Sequence, residues 1–235
     1  MKRIMGLMIM ASVLMFPLTA KAADSQLGIY VAPKIIYGLT YMKDVKHKEV
    51  WYGTPDPWNM GSHQDNTFGG SLAAGYDFSK KLNVPVRAEL EYAAFTKAEA
   101  EDMLWGVTYS YQSNNIQTLF ANVYYDINTG TKFTPYVGAG IGAGFIRAKG
   151  YYYDNRYITD SKTVTNFAWN IGLGLGYEIT KNVALDIGYR FADLGKAKTG
   201  RDDWEWRTSY PGDGFQMKTK RIYQHQFSMG ARFTF

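Results

Sequence analysis

The last thirteen residues of the chain, 223–235, alternate between two kinds of side chain. One face is mostly aromatic and aliphatic, and the other carries Gln224, Gln226, Ser228, Gly230, Arg232 and Thr234. A period of two is that of a β-strand. A soluble sandwich would bury the aromatic face in a core, whereas a membrane barrel would turn it to lipid and place Arg232 in a polar lumen. This strand alone fits either all-β class.

Residues 1–22 have the features of a secretory signal peptide. Lys2 and Arg3 precede an apolar run, and Ala20-Lys21-Ala22 is a small-x-small cleavage site. We therefore expect export and cleavage before Ala23, which leaves residues 23–235 as the barrel domain. A retained anchor is the less favoured alternative, because a spanning helix needs about 20 apolar residues and this run is interrupted.

Composition excludes several classes of protein. The chain has no cysteine, so disulfides cannot stabilise it after export. The formal net charge falls from +5 to +2 once the three basic residues of 1–22 are removed, so it does not indicate nucleic-acid binding. No later run of about 20 apolar residues occurs, which argues against a helical membrane protein. The many Tyr, Phe, Trp and Gly residues favour sheet.

Short and long polar segments alternate along the chain. Three short polar turns, at 79–83, 128–132 and 180–182, divide residues 23–235 into four units. A longer polar segment interrupts each unit, at roughly 43–66, 98–114, 149–163 and 198–219. Short periplasmic turns and long outer loops are typical of outer-membrane barrels, so we expect four outer loops and eight strands.

All eight predicted strands repeat the same alternation. In the third, for example, Val86, Ala88, Leu90 and Tyr92 oppose Arg87, Glu89 and Glu91. A soluble sandwich or lipocalin-like barrel would have a second face rich in exposed Lys, Thr and Ser. The second face here consists of glycine, other small residues and a few charges of both signs. This pattern predicts an all-β, eight-stranded antiparallel up-and-down transmembrane β-barrel with a crowded interior. Pro33 is unexpected in the middle of a closed sheet.

The charges on the second face form the most specific candidate site. Because an eight-stranded barrel is just wide enough for side chains to fill it, we expect them to pair and plug the lumen rather than conduct ions. This predicted lumen network consists of Lys34, Arg87, Glu89, Glu91, Asp186, Arg190 and Arg232. The glycines that alternate through 138–144 and 172–176 lie within strands, so we interpret them as room for these side chains and not as nucleotide loops.

The three histidines do not indicate catalysis. His225 and Ser228 fall on opposite faces of one strand, which is poor geometry for a hydrolytic pair. We predict no catalytic residues, metal site or cofactor.

Aromatic residues concentrate at the strand ends and in the loops. Those at the strand ends predict girdles at both membrane boundaries. Aromatic side chains in the loops are suited to partner contacts, although they could equally pack together or rest on the outer leaflet. The candidate loop contacts are Trp51, Trp58, Trp105, Tyr152, Trp204 and Trp206.

Residues 86–92, 122–127, 135–145 and 188–191, with the final Phe235, resemble the opacity-protein and neisserial-surface-protein group of small, OmpA-like outer-membrane barrels. The resemblance implies the eight-stranded fold, and it implies that Phe235 is an assembly signal for the outer-membrane assembly machinery. That group includes adhesins whose variable loops bind host receptors or heparan sulfate. The loops of this chain do not match, so no family binding residue can be assigned.

These inferences favour a monomeric, non-enzymatic surface protein that contacts outer-membrane lipid and lipopolysaccharide. Adhesion to a host receptor or glycan through the four outer loops is the favoured function. A small porin-like channel or a passive structural protein is the alternative. A lipid-modifying barrel hydrolase is a third possibility without a visible catalytic triad.

Overall fold

The computed structural model of the chain describes residues 27–51, 54–104, 107–152, 157–200 and 214–235. The predicted signal peptide, 1–22, lies outside these ranges. The described residues form ten strands and one single-turn helix, Ser79–Leu82. The strands are β1 Ile29–Trp51, β2 Thr54–Asp77, β3 Val86–Phe95, β4 Ala98–Leu104, β5 Val107–Asp126, β6 Phe133–Tyr152, β7 Tyr157–Ile158, β8 Lys162–Thr180, β9 Val183–Lys198 and β10 Gly214–Thr234.

Eight of the strands form a closed ring. They follow the order β5-β3-β2-β1-β10-β9-β8-β6, and pairing between β6 and β5 closes the ring. All neighbours are antiparallel. The predicted eight-stranded barrel is therefore confirmed. The short strands β4 and β7 extend the sheet by pairing with β5 and β6. No helix within the described ranges is long and apolar enough to span a membrane.

Burial follows the predicted alternation. The apolar face of each ring strand points outward, where large side chains are exposed in the isolated chain, among them Ile35, Leu72, Leu90, Ile141, Leu173, Ile187 and Met229. The opposite face fills the interior. The predicted turns at 79–83, 128–132 and 180–182 connect strands on one side of the ring.

The predicted outer loops are largely strand, so their boundaries were wrong. β1 and β2 pair as far as Trp51 and Thr54, well inside the segment 43–66. The other three segments likewise contain the ends of strands β4 to β8 and β10. Inter-strand pairing satisfies backbone N–H and C=O groups in a polar segment as well as in an apolar one, so a polar composition did not end the strands.

Pro33 occupies a local gap in the sheet. The β1–β10 register pairs Val31 with Phe233 and Lys34 with Gly230, and it leaves Ala32 and Pro33 without partners on that side. The same register continues on both sides of the gap. Proline has no N–H to donate, so it is tolerated where the ladder is already interrupted.

Candidate functional site

The centre of the lumen contains a four-residue ion cluster. Lys34 Nζ on β1 lies 2.9 Å from Glu89 Oε1 and 2.7 Å from Glu91 Oε2, both on β3. Arg190 Nη2 on β9 lies 2.6 Å from Glu91 Oε1. Because β3 and β9 occupy opposite positions in the eight-stranded ring, the Arg190–Glu91 pair spans the barrel across its full width.

Two further ion pairs lie nearer the periplasmic turns. The guanidinium of Arg87 is bidentate on Asp126, with Nε–Oδ2 at 2.6 Å and Nη2–Oδ1 at 2.9 Å. Arg232 Nε lies 3.5 Å from Asp186 Oδ2. All seven residues of the predicted lumen network therefore point inward and make charge contacts. Below them a cavity of about 670 Å³ opens towards the periplasmic turns.

Tyrosine side chains complete the charged layer. The hydroxyls of Tyr30 and Tyr124 donate to Glu89, at 3.1 and 2.8 Å. The guanidinium of Arg87 lies over the rings of Tyr124 and Tyr136, 5.1 and 5.0 Å from their centroids. These contacts desolvate the ion pairs and supply hydrogen bonds, as buried charges require.

Glycines provide the space for this layer, as predicted. A Cβ on Gly172 would lie 2.7 Å from the Cβ of Arg190, and one on Gly176 would lie 3.2 Å from Arg232 Nη2 and from Asp186 Oδ1. A side chain at position 172 would therefore clash with β9 beside Arg190, and one at position 176 would crowd the Arg232–Asp186 pair.

A neutral polar layer lies next to the charges. Gln226 accepts a hydrogen bond from Arg190 Nε and donates one to Gln224 Oε1 at 2.6 Å. Gln224 in turn donates to the Thr40 hydroxyl at 2.9 Å. The amides thus connect the ion cluster to the outer half of the lumen.

The outer half of the lumen is filled by an apolar cluster that the predicted polar plug did not include. Phe120 is fully buried within it, and the guanidinium of Arg190 lies 5.5 Å from its ring centroid. The largest other fully buried members of this outer apolar layer are Met42, Ile116, Ile146, Leu194, Met217 and Ile222. Most of these apolar residues fall inside or beside the segments that composition identified as loops.

Together the layers close the lumen within the described ranges. A cavity of about 30 Å³ remains beside Lys34, Glu91 and Arg190, which is room for a single water molecule. No group of three metal-ligating side chains occurs in the part of the chain that the structure describes.

The outer girdle is a continuous set of rings on the lipid face. Tyr41 stacks on Tyr223 with their ring centroids 5.0 Å apart. Phe191 lies 5.6 Å from Tyr223, and Trp169 lies 5.6 Å from Phe191. His225 lies among these rings and contacts the Tyr189 hydroxyl through Nδ1 at 2.8 Å. This histidine therefore belongs to the girdle.

Three of the six predicted loop contacts lie in the outer parts of the described hairpins. Trp51 ends β1, Trp58 lies in β2 and Tyr152 ends β6, although the positions of their side chains are not described. Trp105, Trp204 and Trp206 lie outside the described residues. Phe235 lies at the opposite end of the barrel, where its backbone N–H donates to the carbonyl of Ile29 at 2.8 Å.

Comparison with known proteins places the barrel in a family. A family model described as an outer membrane protein beta-barrel domain matches residues 8–235. The chain belongs to this family. It is therefore an outer-membrane surface protein, as the sequence predicted.

Sequence relatives and solved structures agree with this assignment. Outer membrane protein PagN of Salmonella typhimurium strain LT2 is 27% identical over 257 aligned positions that span all of both chains. A putative adhesin of Rickettsia bellii strain OSU 85-389 is 27% identical over 183 positions, 74% of this chain and 72% of the relative. The crystal structure of neisserial surface protein A has a TM-score of 0.53 at 20% identity and covers 88% of this chain and 97% of its own. The crystal structure of OprG of Pseudomonas aeruginosa has a TM-score of 0.52 at 14% identity and covers 89% of this chain and 97% of its own. These two structures confirm the fold.

Proposed function

We propose that this family member is a non-enzymatic adhesin that presents the tips of its outer hairpins to a host receptor or glycan. The observation that carries the proposal is the extension of the sheet beyond the girdle. β1 continues ten residues past Tyr41, to Trp51. At about 3.3 Å per residue and a tilt of about 40°, the hairpin tip stands about 25 Å above the girdle.

The outer apolar layer supports this role because it fixes the extension. Met42 on β1 and Met217 on β10 are both fully buried inside the extended sheet. A hairpin held by interior packing presents its tip residues with little loss of conformational entropy on binding. The name of the Rickettsia bellii relative, a putative adhesin, points in the same direction.

Serine substitutions at the tryptophans among the predicted loop contacts test the proposal. We expect cells that display a variant with Trp51, Trp58, Trp204 and Trp206 all replaced by serine to attach to host cells at least about tenfold less. Each aromatic hot spot in an interface contributes about 2 kcal/mol or more. Attachment is counted on cultured epithelial cells, at equal surface levels of folded protein.

The matched control places four serines at the opposite end of the barrel, at Lys80, Lys81, Thr129 and Lys181. This variant should attach as the parent does. Equal attachment of both variants and the parent would overturn the adhesin proposal.

The closed lumen argues against the channel alternative. The Arg190–Glu91 pair crosses the whole ring, and the outer apolar layer lies above it. We expect the refolded chain to give no steady conductance in planar-bilayer recordings. A stable open level at low voltage would instead favour the channel.

The histidines favour a non-enzymatic role. His47 points into the packed interior, His225 lies in the girdle, and Ser228 faces the lumen beyond its reach. Release of acyl chains from lipopolysaccharide by the purified protein would contradict this.

We also propose that residues 1–22 direct export and that Phe235 directs insertion by the outer-membrane assembly machinery. A mature chain whose measured mass begins at Ala23 is the expected result for export. Retention of residues 1–22 in the protein recovered from outer membranes would show that they are an anchor.

A further inference from the structure

Positive charge is concentrated on one side of the outer rim. Three neighbouring strands, β9, β10 and β1, carry seven cationic side chains between two and seven residues beyond the girdle rings. The described side chains of the same segments include two carboxylates, Asp44 and Asp193. We define the seven as the basic rim: Lys43, Lys46, Lys196, Lys198, Lys218, Lys220 and Arg221.

Irregularities in the strands direct these side chains outward. Asp44 has φ of 49° and Gly195 has φ of 82°, and both sit at shifts in strand register. A third shift lies between Thr219 and Ile222 and leaves the consecutive residues Lys220 and Arg221 both exposed. Each bulge changes the alternation locally, so the cations collect on the outer face while their apolar neighbours stay inside.

The register places like charges directly beside one another. Lys218 pairs with Lys46 on β1 and with Lys198 on β9. Opposed like charges destabilise a sheet. An anion bound between the three lysines would remove this repulsion.

The carboxylates neutralise only part of the basic rim. Arg221 Nε lies 2.6 Å from Asp193 Oδ2, and Lys220 Nζ lies 3.6 Å from Asp44 Oδ2. Among the side chains that the structure describes, no carboxylate lies within 4.0 Å of Lys46, Lys196, Lys198 or Lys218. The rim therefore keeps a surplus of positive charge.

The height of the basic rim identifies its partner. Lys43 and Arg221 form the next outward-facing cross-strand pair beyond the Tyr41–Tyr223 pair, and Lys43 Nζ lies 5.5 Å from the Tyr223 ring centroid. Girdle aromatics lie at headgroup level, so Lys43 and Arg221, two residues or about 6–7 Å further along the strands, meet the phosphates of the outer leaflet. Lys46 and Lys218 lie three residues beyond that pair, about 10 Å along the strands, and their long side chains can extend back towards the same phosphates. The opposite side of the rim is different, since β4 presents Glu99 and Glu101 outward.

We propose that the basic rim binds the phosphate groups of lipopolysaccharide in the surrounding outer leaflet. The rim faces sideways at the membrane surface and lies below the hairpin tips, which fits a lipid phosphate better than a host polysaccharide. Several lysines near a lipid surface each strengthen binding to anionic head groups. The site is separate from the tips proposed for adhesion.

Two charge-matched variants test the proposal. One carries Lys46→Gln, Lys196→Gln and Lys218→Gln in the basic rim. The control carries Lys97→Gln, Arg147→Gln and Lys149→Gln, which removes three exterior cations from the β4–β6 side of the same rim. The full chain is refolded in zwitterionic detergent and titrated with purified rough lipopolysaccharide. We expect the dissociation constant to rise at least about tenfold for the rim variant and less than about twofold for the control.

Parallel titrations separate the possible ligands. Lipopolysaccharide stripped of its phosphates should bind the parent as weakly as the intact lipid binds the rim variant. Equal losses in the two variants would show a general charge effect and overturn the proposal. So would undiminished binding of the dephosphorylated lipid. If the rim variant loses heparin binding but keeps lipopolysaccharide binding, the rim instead serves a sulfated polysaccharide and the proposal is wrong.

Discussion

Replacement of Lys34 by methionine is expected to lower the free energy of unfolding by about 3 kcal/mol or more, because removal of one partner leaves buried charge unpaired. Lys34 bridges Glu89 and Glu91, whose side chains are both 1% exposed. Glu91 would keep Arg190, whereas Glu89 would keep only neutral donors, chiefly the tyrosine hydroxyls. The loss is measured as a lower midpoint of urea unfolding in lipid vesicles and a lower temperature for the conversion of the folded gel band.

A second substitution identifies the unpaired group. In the Lys34→Met background, Glu89→Gln should restore much of the lost stability, since it removes the carboxylate that has no cation. The same Glu89→Gln change in the parent should destabilise. A substitution that stabilises the protein in one background and destabilises it in the other shows that the two residues are energetically coupled.

Lys80→Met is the matched control, because Lys80 is exposed on the periplasmic helix. Its effect should stay within about 0.5 kcal/mol. If Lys34→Met behaves like Lys80→Met, or if Glu89→Gln fails to rescue it, the central cluster does not carry the stability we assign to it.

The sequence predicted the fold well because membrane strands obey a simple periodicity. Leu90 and Glu91 must face lipid and lumen respectively, and this alternation is visible without any knowledge of partners. Which cation meets which carboxylate could not be predicted. Arg190 and Glu91 meet across the ring, and their contact depends on the stagger and tilt of all eight strands.

The outer half was mispredicted for a physical reason. Bulges at Asp44 and Gly195 reset the period of two, so Met42 and Val45 share the interior although they are three residues apart. A strict alternation test fails there, and the exposed lysines of these segments make them resemble loops. The available signal was Phe120, which with Tyr124 interrupts the polar face of its strand.

Phe120→Ala tests whether the outer half is packed as the structure shows, and we expect it to cost about 3–5 kcal/mol. The substitution would leave a cavity in the outer apolar layer and remove the ring that faces the Arg190 guanidinium. The unfolding midpoint in vesicles reports the loss, and Phe120→Leu should recover most of it because leucine refills much of the volume.

Phe167→Ala is the control that distinguishes a loss of interior packing from a general effect of removing a phenylalanine ring. Phe167 is 70% exposed on the lipid face near the outer boundary, and lipid chains can fill the space that its ring leaves. The same change of side chain should therefore cost less than half as much there. Equal losses at the two positions would mean that Phe120 is not enclosed by the protein. The hairpin extension would then lack the interior packing on which its rigid display of the tips depends.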